Sequence, residues 1–348
     1  MHWEAWLLKH STVFVIGAGA SFEFGLPIGN ELAKRISKKM NVEVDRFNNI
    51  RSASGDADLF DLFRRAGETP LEYARAAWVI RDGISLASSI DDFLHVHRDD
   101  TFVIDYGKAA IAKCILEAEA NSKLKILKEQ RGGALVPTVL LSSCEDTWIV
   151  NLMRLLFRGT SKSDCARVLE KCTFIIFNYD RCIEHFFIHA LKNAYDISPA
   201  EAAQIVANAT FIHPYGSVGN INPTSPNQEI PFGHDHVDWL KVGRDSIKTY
   251  TEAVDDKQIK QAVVAASTIV FLGFAYHDQN MALLADREEL HHKTIIGTTY
   301  EMSDNDVRLI KQQLAGWMAP QYQVPAQRSM FLENTTASKL LMAYAKSL

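Results

Sequence analysis

The apolar positions of this chain gather in short continuous runs rather than alternating with polar ones. Residues 12–16 (TVFVI) lead into Gly-Ala-Gly-Ala-Ser, residues 173–177 (TFIIF) into a turn at Asn178, and residues 210–212 (TFI) into His-Pro-Tyr-Gly-Ser. Residues 268–272 (TIVFL) lead into Gly-Phe, and residues 294–296 into Gly-Thr-Thr-Tyr. Runs rich in β-branched and aromatic residues, without polar alternation, predict strands buried on both faces, as in a parallel sheet. Helical patterns stand between them, from about Arg181, from Ser198 and near Asn280. Ser198-Pro199-Ala200-Glu201 supplies an N-cap, a proline at the first helical position and a capping-box glutamate. The predicted class is α/β: a Rossmann-like parallel sheet with helices on both faces and an inserted helical module.

The insertion follows from spacing. Roughly 150 residues separate the first two strands, far more than one crossover needs. They read mostly as helix, with three- and four-residue apolar spacing over residues 89–96, 106–130 and 147–157. The predicted division places a sheet domain at 1–27 and 165–348 and a helical module at 28–164. Residues 214–236, with Pro214, Pro223, Pro226, Pro231, Gly216, Gly219 and Gly233, read as one long loop.

Composition narrows the classes. Hydrophobic residues at 47% and charged residues at 23% exclude wholesale disorder. A net charge of −5 is no footprint for gripping phosphate backbones, so no direct nucleic-acid binding is expected. No uninterrupted 18-residue apolar run occurs, and MHWEAWLLKH has no basic start followed by a long apolar core. Neither a membrane span nor a secretory signal is expected, and the location is expected to be cytoplasmic. Five cysteines without a CxxC pair predict reduced thiols, not disulfides or a zinc site. The pairs His95/His97, His234/His236 and His291/His292 have metal-compatible spacing but no converging carboxylate or cysteine pattern, so no metal is expected.

Candidate chemistry sits at the strand ends. After a buried strand, Gly17-x-Gly19 permits a tight turn and close approach of a pyrophosphate to backbone amides. The third glycine of the dehydrogenase fingerprint would fall at position 22, where Phe22 stands, and the next glycine is Gly25 in Gly25-Leu26-Pro27. Nucleotide binding is therefore expected without hydride transfer; the plain alternative is a turn serving strand–helix packing alone. Asn178 can hydrogen-bond a ribose or orient water, or simply cap the following helix. Asp180 is divided between capping that helix, since a carboxylate suits a helix N-terminus, and supporting the site.

These segments together resemble a known family. Gly17-Ala18-Gly19-Ala20-Ser21 followed by Gly25-Leu26-Pro27 resembles the NAD-binding loop of sirtuins, and more closely that of the sirtuin-like domains of prokaryotic antiphage defence. Phe177-Asn178-Tyr179-Asp180 is similar to the sirtuin Thr-Gln-Asn-x-Asp element, with Asn178 and Asp180 in register. His213-Pro214-Tyr215-Gly216-Ser217 resembles the catalytic histidine–glycine segment, and Gly273-Phe274 the Gly-x-Ser turn near the ribose. Ser89-Ile90-Asp91-Asp92-Phe93 resembles a helix of the inserted module in the defence proteins. The resemblance spans about residues 12–299.

It implies a catalytic pair, Asn178 and His213, and NAD contacts from Gly17, Ala18, Gly19, Ser21, Pro27, Asp180, Tyr215, Gly216, Gly273 and Phe274. Sirtuins have histidine directly before glycine, whereas Pro214 and Tyr215 intervene here. Alignment on Gly216-Ser217 would put Tyr215 in the catalytic place. Positions i and i+2 of an extended segment face one side, so both side chains are expected to face the pocket. A near-neutral imidazole moves protons better than a phenol of pKa about 10, which favours His213.

The chain also departs from deacylating sirtuins, which frame their acyl-lysine groove with a four-cysteine zinc module. With water as acceptor, the resemblance implies an NADase. It would hydrolyse NAD to ADP-ribose and nicotinamide, an effector of antiphage defence by NAD depletion (abortive infection). The alternatives are a sirtuin-type deacylase or ADP-ribosyltransferase, or a non-enzymatic nucleotide-sensing subunit of a defence complex. A homo-oligomer with a separately encoded sensor or DNA-translocase-type ATPase is further implied. Leu340, Leu341 and Tyr344 fall on one face of a C-terminal helix and are expected to present a partner surface.

Overall fold

Each of the five predicted apolar runs forms a strand of one sheet: β1 (Thr12–Ile16), β2 (Cys172–Ile176), β3 (Thr210–Ile212), β4 (Thr268–Leu272) and β5 (Thr294–Thr298). A sixth strand, β6 (Met330–Glu333), completes the sheet. The computed structural model describes residues 8, 10–46, 50–52, 54–65, 70–131, 133–221, 230–249, 252 and 256–348. Strand order is β6-β5-β4-β1-β2-β3, and every pairing is parallel. This is the doubly wound Rossmann order, in which the chain reverses direction across the sheet between β1 and β4. All carboxyl ends of the strands therefore lie along one edge, and the segments that follow them meet there.

Alternate residues of each strand feed two cores. Val13, Val15, Ile175, Ile269 and Phe271 pack on one face, with helices Gly29–Lys39, Pro70–Gly83, Thr101–Asn121 and Val237–Ser246. Phe14, Ile16, Phe174, Ile176, Val270 and Leu272 pack on the other, with helices Trp148–Phe157, Cys182–Tyr195, Pro199–Asn208 and Ala337–Tyr344. Phe14 stacks on Phe174, which stacks on Phe211, so an aromatic row crosses three neighbouring strands. Residues 28–164, expected as an inserted module, contribute helices to both faces and share both cores with the sheet.

Three sequence expectations are corrected. The helix expected over residues 106–130 ends at Asn121. Ile126–Arg131 instead pairs antiparallel with Ala134–Val139, with Gly133 in the turn at φ +85°. Strand β6 escaped notice because it lies at the sheet edge and alternates buried and exposed residues rather than forming an apolar run. Leu340 and Leu341 are buried in the core, where Ala337–Tyr344 packs on Trp148–Phe157, so that face is not a free partner surface. Among the described residues no helix is long and apolar enough to cross a membrane. Of the predicted 214–236 loop, Pro223 and Pro226 lie outside the described residues, as does most of the N-terminal decapeptide.

One contact fixes the turn after β1. The Glu23 carboxylate accepts from the backbone N–H of Trp148 (2.8 Å) and of Ser338 (2.9 Å), so one side chain caps two helix starts. The Trp148 indole donates to the Ala20 carbonyl at 3.1 Å. The short helix Ala18–Phe22 is thereby anchored to the C-terminal helix and to Trp148–Phe157.

Candidate functional site

At the β1–β4 junction two glycine turns lie against each other. Gly17 N–H donates to the Leu272 carbonyl and Gly19 N–H to the Gly273 carbonyl, each at 3.0 Å; Ala20 N–H closes on the Gly17 carbonyl at 3.0 Å. Gly273 has φ +56°, and a Cβ there would lie 2.0 Å from the Ala20 nitrogen. Only glycine satisfies both the left-handed backbone and this approach. Its amide donates to Thr298 Oγ1 at 2.8 Å. Phe274 is buried against Phe177, Phe271 and Tyr276, and Pro27 is buried as well. Gly19 is exposed at the sheet edge and Ala18 is half-buried.

Between β1, β2 and β3 the arrangement is one of side chains. Asp180 is buried; it accepts from Cys182 N–H at 3.1 Å, capping the helix start, and from the Ser21 hydroxyl. Burial pushes its carboxyl upward, with Ser21 and the Cys182 amide opposing. The Asn178 side-chain amide donates to Ser21 Oγ at 2.7 Å. The Asn178 carbonyl lies 3.3 Å from His213 Nδ1, and His213 Nε2 lies 2.7 Å from Glu184 Oε1. One hydrogen-bonded chain thus runs Asp180–Ser21–Asn178–His213–Glu184, drawn from three strand ends and the first turn of Cys182–Tyr195. Burial alone would lower the imidazole pKa; the Glu184 carboxylate overrides it, with the Asn178 carbonyl and Asp180 adding, and the net direction is upward.

Tyr215 does not share this chain. The segment after β3 is a turn, with Gly216 N–H donating to the His213 carbonyl at 3.1 Å, so the rule for extended strands fails. Gly216 holds φ +71°, and a Cβ there would come within 2.0 Å of the Ser246 carbonyl oxygen. Tyr215 therefore turns to the other side, where its buried hydroxyl donates to Asn280 Oδ1 at 2.7 Å and its ring meets Phe177. Near it, the Tyr179 hydroxyl donates to Asp91 of the Ser89–Phe93 motif. Desolvation pushes the Asp91 carboxyl up to about 6, against the Tyr179 hydrogen bond.

Beneath the chain lies a fully buried ion pair, Arg181 with Glu119, at 2.6 Å. Glu119 also accepts from the Arg181 amide (3.1 Å) and the Gly233 amide (3.1 Å), and Arg181 donates on to the Ile230 carbonyl. The pair ties the helix Thr101–Asn121 to the start of Cys182–Tyr195 and to the returning end of the long loop. A cavity of about 380 Å³ opens beside it. Arg181, Glu184, His213, Ile188, Val206 and Phe211 are among its lining; Ser21, Asn178 and the glycine turns are not.

The structure thus brings Ser21, Asn178, Asp180 and His213 together, gathers Gly17, Gly19, Gly273 and Phe274 at the neighbouring junction, and holds Tyr215 apart with Asn280. Sequence reading missed Glu184, Glu119 and Asn280. Glu184 had a signal, standing six residues after Asn178, but an acid in a helix's first turn reads as an ordinary dipole partner. All five cysteines are buried and free, and among the described residues no group of three or more histidine, cysteine or acidic side chains converges as metal ligands. Compared with known proteins, the chain matched no family model, no curated protein and no solved structure.

Proposed function

We propose that this protein binds NAD at the carboxyl edge of its sheet and hydrolyses the nicotinamide–ribose bond, giving ADP-ribose and nicotinamide. The observation that carries this reading is that Asn178 holds Ser21 through its side-chain amide and His213 through its backbone carbonyl, which joins the segments after β1, β2 and β3 beside the β1–β4 switch point. Doubly wound sheets receive nucleotides at that edge. The reaction asks for a group to hold the ribose, an acceptor water and one proton carrier. Asn178 meets the first need and His213 the last. The role in antiphage defence by NAD depletion, the homo-oligomer and the ATPase or sensor partner belong to the same proposal and rest on the sirtuin-like motifs.

The test is a time course of NAD loss with products resolved by chromatography, run with and without candidate activators. Nicotinamide and ADP-ribose should appear together. Products of pyrophosphate cleavage, with nicotinamide still attached to ribose, would reject the reading. Transfer of radiolabel from NAD onto protein would favour an ADP-ribosyltransferase. NAD that stays intact in the pocket would favour a nucleotide-sensing subunit.

A further inference from the structure

Both ring nitrogens of His213 face oxygens. Nδ1 lies 3.3 Å from a backbone carbonyl, which can only accept, and Nε2 lies 2.7 Å from a carboxylate oxygen. A neutral imidazole has one N–H and can satisfy one of these partners. With the Nδ1 proton on the Asn178 carbonyl, the contact between Nε2 and Glu184 Oε1 needs a second proton. The other Glu184 oxygen is buried and finds no hydrogen-bond partner among the described residues, so its charge is balanced by the ring or not at all. The other charged groups nearby are Asp180, bonded to Ser21, and Arg181, paired with Glu119.

We infer that Glu184 is a positioning residue that holds His213 as a doubly protonated imidazolium in the resting protein, so the histidine accepts a proton only after the pair has released one. The two bonds are unequal. The 2.7 Å contact to Glu184 is the strong, charge-assisted one, and the 3.3 Å contact to Asn178 the weak one. The proton released is therefore the one on Nδ1, and its loss also breaks the contact with the Asn178 carbonyl, since a lone pair there would face a carbonyl oxygen. Glu184 then keeps the Nε2–H tautomer, as a carboxylate does for a catalytic histidine, and Nδ1 carries the working lone pair.

Applied to the proposed hydrolysis, on which this step rests, the electrons balance simply. Water oxygen bonds to the ribose C1′, the C1′–nitrogen bond breaks with its electron pair going to the nicotinamide ring, and one water proton passes to Nδ1. The resting protein is one proton above the state that performs this step, so turnover should rise with pH through the His213 midpoint.

The experiment is nitrogen-15 NMR of the full-length protein with labelled histidine, the His213 signal assigned by its loss in His213→Asn. At about pH 6.5, the ordinary histidine midpoint, the wild-type ring should carry protons on both nitrogens in most molecules. Glu184→Gln keeps the acceptor but removes the charge, and should lower the midpoint by about 1 pH unit or more, a tenfold loss of proton affinity. A singly protonated wild-type ring at that pH, or equal midpoints in the two proteins, overturns the inference. If Glu184→Gln does not fold, the wild-type spectrum decides. In parallel, the acid limb of NAD turnover should move with the NMR midpoint, and a limb that stays in place overturns the positioning role. A shifted midpoint with no NAD cleavage at any pH would remove the hydrolase reading and leave the proton-holding pair standing.

Discussion

The two halves of the sheet's carboxyl edge are built by different means. At the β1–β4 junction the backbone dominates: the Gly17 and Gly19 N–H groups donate to the Leu272 and Gly273 carbonyls at 3.0 Å, and the Thr298 hydroxyl that accepts from Gly273 N–H is not ionisable. At the β1–β2–β3 side, side chains dominate: two carboxylates, an amide, a hydroxyl and an imidazole gather beside a buried ion pair, with the Asn178 backbone carbonyl facing His213. The first arrangement has a single geometry and no chemistry that depends on pH. The second holds mobile protons and can exist in more than one protonation state. Architecture and reactivity therefore sit side by side, sharing Ser21, which lies in the short helix of the first and hydrogen-bonds within the second.

If that contrast holds, disturbing the two sides should have different consequences. The largest effect is expected under the side-chain half. Glu119→Ala leaves Arg181 charged and buried, and should destabilise the fold by about 3–5 kcal/mol in urea denaturation; a loss below about 1 kcal/mol would mean the pair is not what supports the site. Next comes the backbone half. Gly273→Ala forces a Cβ against the Ala20 amide at positive φ and should cost about 2–4 kcal/mol in urea denaturation.

His213→Ala and Asn178→Ala should act chiefly on turnover. Each should lower NAD turnover by about 100-fold; Asn178→Ala should shift stability by about 1 kcal/mol or less, and His213→Ala by more, because it leaves the largely buried Glu184 carboxylate without its partner. If Tyr215→Phe removes activity while His213→Ala keeps it, the proton carrier is on the other branch of the turn.

The narrowest effect, visible only at the alkaline end of the pH range, concerns Asp91. Its carboxyl is raised from 3.8 to about 6, so the folded state binds its proton more tightly than the unfolded chain does. That contribution is complete below about pH 4 and is lost as pH rises through 6. Asp91→Asn, which keeps an acceptor for Tyr179, should therefore gain about 2–3 kcal/mol over wild type at pH 8 and little at pH 4. Denaturation midpoints at the two pH values would decide it, and an equal difference at both would show that the charge is not the cause.

Local chemistry was enough to read five of the six strands, because doubly buried parallel strands must be continuously apolar and residues 12–16 or 268–272 have no other use for such a run. It was also enough to read the glycine turns and to bring Asn178 and His213 forward, since each follows directly on a strand end and all strand ends of a parallel sheet share one edge. The same logic was blind to β6, whose edge position leaves half its residues exposed. It was blind to the turn at Gly216, which sends Tyr215 and His213 apart. Glu184 and Glu119 could not be assigned from the chain because their partners are distant: Glu119 meets Arg181 across 62 positions, and Glu184 meets His213 across 29. An ionisable side chain announces its type in the sequence, but its charge state depends on what folding packs around it. Whether His213 carries one proton or two is therefore a property of the assembled strand ends.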